Sequence, residues 1–242
     1  MFNLPGNGVT RPFGDERGDL AQLSNIVGSL LKRISPNGPV LLLGHSFGAT
    51  IATELASRCD DIDGLVLLSP IALPPCKRGG AGGVLARLAV RLSVWLLQRA
   101  PRAVSTAAIR SSVIATITNA LYAVHGLSGM RKIQEYSAVE RALAAEPRSM
   151  GEQLKVASEF ACSEFAADVR CTVAIIAGDR DQMTSLVELQ DLADRFYRST
   201  LLLLPGAGHL AHHEDREAFS HLVLGGIDCV AGQLSGHDNC GS

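Results

Sequence analysis

Residues 40–48 read Val40-Leu-Leu-Leu-Gly-His-Ser-Phe-Gly48, an apolar run that enters a Gly-x-Ser-x-Gly pentapeptide. Ala49 to Arg58 continues as a helical run, so the pentapeptide sits at a strand-to-helix turn. A serine on so sharp a turn takes a strained backbone conformation, and glycines beside it avoid collisions. The turn lifts the Ser46 hydroxyl off the sheet and sets it at a helix N-terminus, where unpaired N–H groups favour developing negative charge.

Two later segments extend the pattern. Cys171-Thr-Val-Ala-Ile-Ile-Ala-Gly-Asp-Arg-Asp181 reads as a buried strand ending in a glycine and two carboxylates. Thr200-Leu-Leu-Leu-Leu-Pro-Gly-Ala-Gly-His209 reads as another, ending in a glycine turn and a histidine. Serine, acid and histidine thus follow in order, each just past the C-terminal end of a strand.

On these residues the chain resembles the α/β-hydrolase fold superfamily. The likeness rests on Gly44–Gly48, Gly178–Asp181 and Pro205-Gly-Ala-Gly-His209-Leu-Ala-His-His-Glu214, and on Leu4-Pro-Gly-Asn-Gly8, which is similar to the family's D-L-P-G-H-G loop. It implies an α/β fold: a doubly wound, mostly parallel sheet carrying a helical cap.

A serine hydroxyl needs an adjacent base to react near neutral pH, and imidazole as a residue type titrates near about 6.5. Ser46 is therefore the candidate nucleophile and His209 the candidate base. The family spacing G-x-x-D selects Asp181 as the orienting acid, with Asp179 as the alternative. The Phe47 N–H is the candidate oxyanion donor. His45 and Trp95 are the candidate substrate-binding side chains. His212 and His213 are expected on the surface at the start of the final helix, with metal binding the lesser reading. No metal or organic cofactor is expected.

The front of the chain departs from the family pattern. The D-L-P-G loop follows the family's fourth strand, yet its counterpart here stands at the first residues. Three strands and the loop that donates a second oxyanion N–H are expected to be missing. The strand at 40–43 would then have an unpaired edge. A longer chain, a sideways shift of residues 2–10 with Gly6–Gly8 as substitute donors, a completing partner (a homodimer included) and impaired catalysis all remain open.

At 242 residues, 47% hydrophobic and 5% aromatic, the chain can bury a sizeable core built of Leu, Val, Ile and Ala. No signal peptide or membrane-spanning run is visible. The six cysteines form no C-x-x-C, so free thiols and a cytoplasmic location are expected.

The expected organisation is a core of residues 1–75 and 166–242 and a helical cap over 76–165. Its breaks are expected at Gly79–Gly83, Pro101, Gly126–Gly129 and Pro147. Between Lys77 and Gln134 lie nine basic residues and no Asp or Glu. With a net charge of −2, the rest of the chain carries −11. Leu85, Leu88, Leu92 and Trp95 recur at helical spacing beside Arg87 and Arg91. Three readings stand: an apolar face covering the core, docking of an acyl carrier protein or its phosphopantetheine arm, and a lid on an anionic lipid surface. Nucleic acid is not expected as a partner, given the acidic balance and the lack of interleaved aromatics.

The expected function is hydrolysis of an ester or thioester with a hydrophobic acyl part, through an acyl-enzyme on Ser46. An acyltransferase or lyase using the same residues, and a non-catalytic ligand-binding or partner-dependent protein, are the alternatives.

Overall fold

In a computed structural model, the structure describes residues 4, 10, 18–35, 38–77, 79–113 and 146–234. Among the described residues, four parallel strands form one sheet in chain order: β1 (Leu41–His45), β2 (Gly64–Leu68), β3 (Thr172–Gly178) and β4 (Ser199–Leu204). Helix α1 (Leu20–Ile34) precedes β1, and α2 (Phe47–Ala56) joins β1 to β2. Between β2 and β3 lie α3 (Gly80–Arg99), α4 (Arg102–Arg110) and α5 (Pro147–Glu159). Helix α6 (Leu186–Arg195) joins β3 to β4, and the short α7 (Ala211–Glu214) and long α8 (Arg216–Leu234) close the chain.

Parallel strands covered on both faces read as continuous apolar runs, because inward and outward side chains are both buried. Leu65, Leu67, Val173 and Ile175 pack with Leu23 and Val27 of α1, Ile51 and Leu55 of α2, and Leu189 and Leu192 of α6. The alternate residues Val66, Leu68, Ala174 and Ile176 pack with Phe219 and Val230 of α8. The sheet is thus wrapped by helices on two sides.

Helix α8 reaches β2, β3 and β4, and β1 lies beyond it. The consequence shows in β1: Leu42 is buried toward α1 and α2, while Leu41 and Leu43 on the opposite face are exposed. Among the described residues β1 is also the sheet edge. The proposed pairing of residues 2–10 with this strand lies outside the described residues, although Leu4 itself packs against the α1–α2 core.

Two expectations need correction. Gly79–Gly83 does not interrupt the helical region but starts it, since α3 begins at Gly80 and runs to Arg99. Nor are all cysteines free: Cys59, Cys76, Cys162 and Cys171 are, whereas Cys229 is disulfide-bonded. Pro101 and Pro147 act as read, the first capping α4 and the second opening α5. The break at Gly126–Gly129 lies outside the described residues.

Candidate active site

Ser46 sits between the end of β1 and the first residue of α2, with φ 51° and ψ −115°. A positive φ at a serine is strained and persists only where its surroundings enforce it. Here the sheet does so, because Ser46 N donates to Leu68 O at 2.9 Å and Ala49 N donates back to Ser46 O at 3.0 Å. The two motif glycines are not equivalent. A Cβ at Gly44 would lie 2.5 Å from Gly48 O and 2.8 Å from Ala49 Cα, whereas a Cβ at Gly48 would meet nothing within 4 Å. The expected collision applies to Gly44 alone. Phe47 opens α2, so its N–H has no acceptor within the helix.

The strand ends bring three distant residues together. Ser46 Oγ lies 3.0 Å from His209 Nε2, and His209 Nδ1 lies 2.9 Å from Asp181 Oδ2. Asp181 and His209 are both buried. The other Asp181 oxygen, Oδ1, accepts from Met183 N at 2.7 Å and Thr184 N at 3.1 Å. A carboxylate held by these donors accepts from His209 through Nδ1–H. That fixes the tautomer and leaves Nε2 to accept the Ser46 hydroxyl proton.

Asp179, the alternative acid, has a different task. Its Oδ1 accepts from Gly206 N at 2.6 Å, and Arg180 N donates to Ala207 O at 2.9 Å. These bonds fasten the β3 end to the turn that carries His209. Glu214 braces the same turn from α7 by accepting from Gly208 N at 3.2 Å. Thr184 ties the acid loop to the end of β2, its Oγ1 donating to Pro70 O at 2.9 Å. The bracing roles of Asp179, Glu214 and Thr184 escaped sequence reasoning, since their partners are backbone groups that no spacing rule reveals.

His45 is drawn to the site, but among imidazoles. Its ring centroid is 6.1 Å from that of His209 and 4.5 Å from that of His212, edge-on at 72°. His45 Nε2 and His212 Nδ1 are buried without a hydrogen-bond partner. Burial, then the neighbouring histidines, pushes His45 down to about 4 and His212 to about 3. His212 is half-buried rather than freely exposed, and it belongs to α7, before the final helix. Trp95 stands 59% exposed on α3, and no described contact ties it to the Ser46–His209–Asp181 chain. Gly6–Gly8, the expected substitute oxyanion donors, lie outside the described residues. Among the described residues, no group of three or more His, Cys, Asp or Glu side chains is arranged to hold a metal ion.

Comparison with known proteins agrees with this architecture. Residues 1–222 match the alpha/beta hydrolase family, and the chain belongs to that family, an enzyme family of the hydrolase class. An esterase from Exiguobacterium antarcticum has a similar structure, with TM-score 0.73 and 13% identity over 92% of this chain and 78% of that one. The enol-lactonase from Burkholderia xenovorans LB400 is similar at TM-score 0.70 and 16% identity, covering 93% of this chain and 78% of that one. A thermophilic esterase from Thermogutta terrifontis is similar at TM-score 0.67 and 18% identity, covering 94% of this chain and 78% of that one. At such identities the likeness is one of fold. No curated protein sequence matches the chain.

Proposed function

We propose that the protein is a serine hydrolase that cleaves carboxylic esters or thioesters with a hydrophobic acyl part. One observation carries this reading: the continuous Ser46–His209–Asp181 chain, with contacts of 3.0 and 2.9 Å at the C-terminal ends of three strands. Ser46 Oγ attacks the substrate carbonyl carbon while its proton passes to His209 Nε2. The carbonyl π electrons move to oxygen, where the Phe47 N–H donates to the new oxyanion. Asp181 stabilises the imidazolium. Collapse of the intermediate expels the alcohol or thiol, which leaves with the proton from His209. Water then follows the same route, giving its proton to His209 and releasing the acid from Ser46.

The esterase and lactonase neighbours support ester chemistry for this chain. The helices between β2 and β3 would form the cap over the site, with apolar residues to receive the acyl part. Hydrolysis of p-nitrophenyl esters of rising acyl length tests the proposal. It predicts turnover that persists beyond the acetate ester and disappears in Ser46→Ala. Turnover unchanged in Ser46→Ala would place the chemistry elsewhere.

A further inference from the structure

Helix α3 has two apolar faces, and only one of them is packed. Leu97 and Gln98 close against α5 at Gly151, where an added Cβ would come within 3.1 Å of Leu97 Cβ. Val90 and Val94 share that side by helical spacing, and both are partly buried. The opposite side carries Leu85, Leu88, Leu92 and Trp95, which are 67, 56, 66 and 59% exposed. Scattered apolar residues on a surface need no explanation, but a contiguous stripe marks an interaction site. Among the described residues, this stripe therefore does not cover the core.

The charges beside the stripe have one sign. By helical spacing Arg91 borders it and Arg99 stands one turn beyond Trp95, while Arg102 and Arg110 begin and end the adjoining α4. All four are exposed, and none forms an ion pair among the described residues. From Lys77 to Arg110 the chain offers no Asp or Glu to neutralise them. A second copy of the chain would bring two such cationic faces together. The stripe also holds no amide or hydroxyl that could specify a protein partner by directional hydrogen bonds. Leucines and a tryptophan flanked by arginines suit a lipid surface, where the apolar side chains enter the headgroup boundary and the guanidinium groups meet phosphates. No described helix is long and apolar enough to cross a membrane, so the attachment is to a surface.

We propose that α3 is an interfacial helix that lays the Leu85–Leu88–Leu92–Trp95 stripe into the surface of an anionic lipid bilayer, with Arg91 and Arg99 on the headgroups. The proposal is independent of the chemistry at Ser46.

Trp95 is the sole tryptophan, so its emission reports directly on the stripe. The full chain is mixed with phosphatidylglycerol–phosphatidylcholine vesicles and with pure phosphatidylcholine vesicles. With the anionic vesicles the emission shifts to the blue, brominated acyl chains quench it, and the protein sediments with the lipid. Raised salt weakens the effect. Leu88→Ser/Leu92→Ser abolishes co-sedimentation, and Arg91→Glu/Arg99→Glu lowers it by about tenfold or more. Circular dichroism and melting curves like those of the parent chain show that both variants are folded. An unmoved Trp95 spectrum with the protein left in the supernatant would overturn the proposal. So would equal, salt-insensitive binding to neutral vesicles. A blue shift without lipid that grows with protein concentration alongside a dimer mass would assign the stripe to a second copy instead.

Discussion

The imidazole of His45 packs edge-on against that of His212, with ring centroids 4.5 Å apart. His45 directly precedes Ser46 on the turn between β1 and α2, and His212, on α7, lies three positions after His209. The contact joins the segment that carries Ser46 to the segment that carries His209. It holds best when both rings are neutral, since each buries a nitrogen with no hydrogen-bond partner.

Stability should therefore depend on pH through this pair. Both folded-state values are depressed, to about 4 for His45 and about 3 for His212, below the ordinary 6.5. Below about 6.5 the unfolded chain binds protons that the folded chain refuses, so stability falls as pH falls. The slope reaches about 1.4 kcal/mol per pH unit for each histidine. The stability difference between the parent chain and His45→Phe/His212→Leu should shift in the variant's favour on going from about pH 7 to about pH 4.5. Urea unfolding at the two pH values measures this. A pH-independent difference would show that folding does not lower the proton affinity of either ring.

The two carboxylates after β3 should separate cleanly. Asp181→Asn keeps the shape but upsets the His209 tautomer, and kcat should drop by about 10⁴-fold. Asp179→Asn still offers an oxygen to the Gly206 N–H, and kcat should remain within about tenfold. Steady-state kinetics on one ester compares them directly. Equal losses would remove the distinction between orienting acid and turn fastener.

The motif glycines should respond in opposite directions. Gly44→Ala forces a Cβ onto the backbone of Gly48 and Ala49 and should destabilise by about 3 kcal/mol. Gly48→Ala adds a methyl to open space in the first turn of α2 and should stabilise by up to about 1 kcal/mol. Thermal melts of both variants test the pair, and a destabilised Gly48→Ala would contradict it.

Removing the Thr184 hydroxyl should loosen the acid loop. Thr184→Val leaves the buried Pro70 carbonyl without its donor, at a cost of about 1–3 kcal/mol. Denaturant unfolding reads the loss.

All four strands and the Ser46, Asp181 and His209 positions were legible in the sequence, because strand-end chemistry leaves short apolar runs closed by glycine and one reactive side chain. The bracing of that chemistry was not. Asp179, Thr184 and Glu214 act on backbone N–H and C=O groups whose positions depend on how loops from different strands meet. The His45–His212 contact was hidden for the same reason, since its partners lie 167 positions apart in the chain. On α3 the periodicity showed an apolar stripe but not its direction. Only the packing of Leu97 and Gln98 on Gly151 reveals that the stripe faces away.

Labelling of the serine tests the central claim most directly. The intact mass of the folded chain is measured after exposure to a fluorophosphonate, beside Ser46→Ala. An activated Ser46 gives a single adduct on the parent chain and none on the variant. No adduct on the folded parent chain, or the same adduct on Ser46→Ala, would contradict the assignment of Ser46 as the nucleophile.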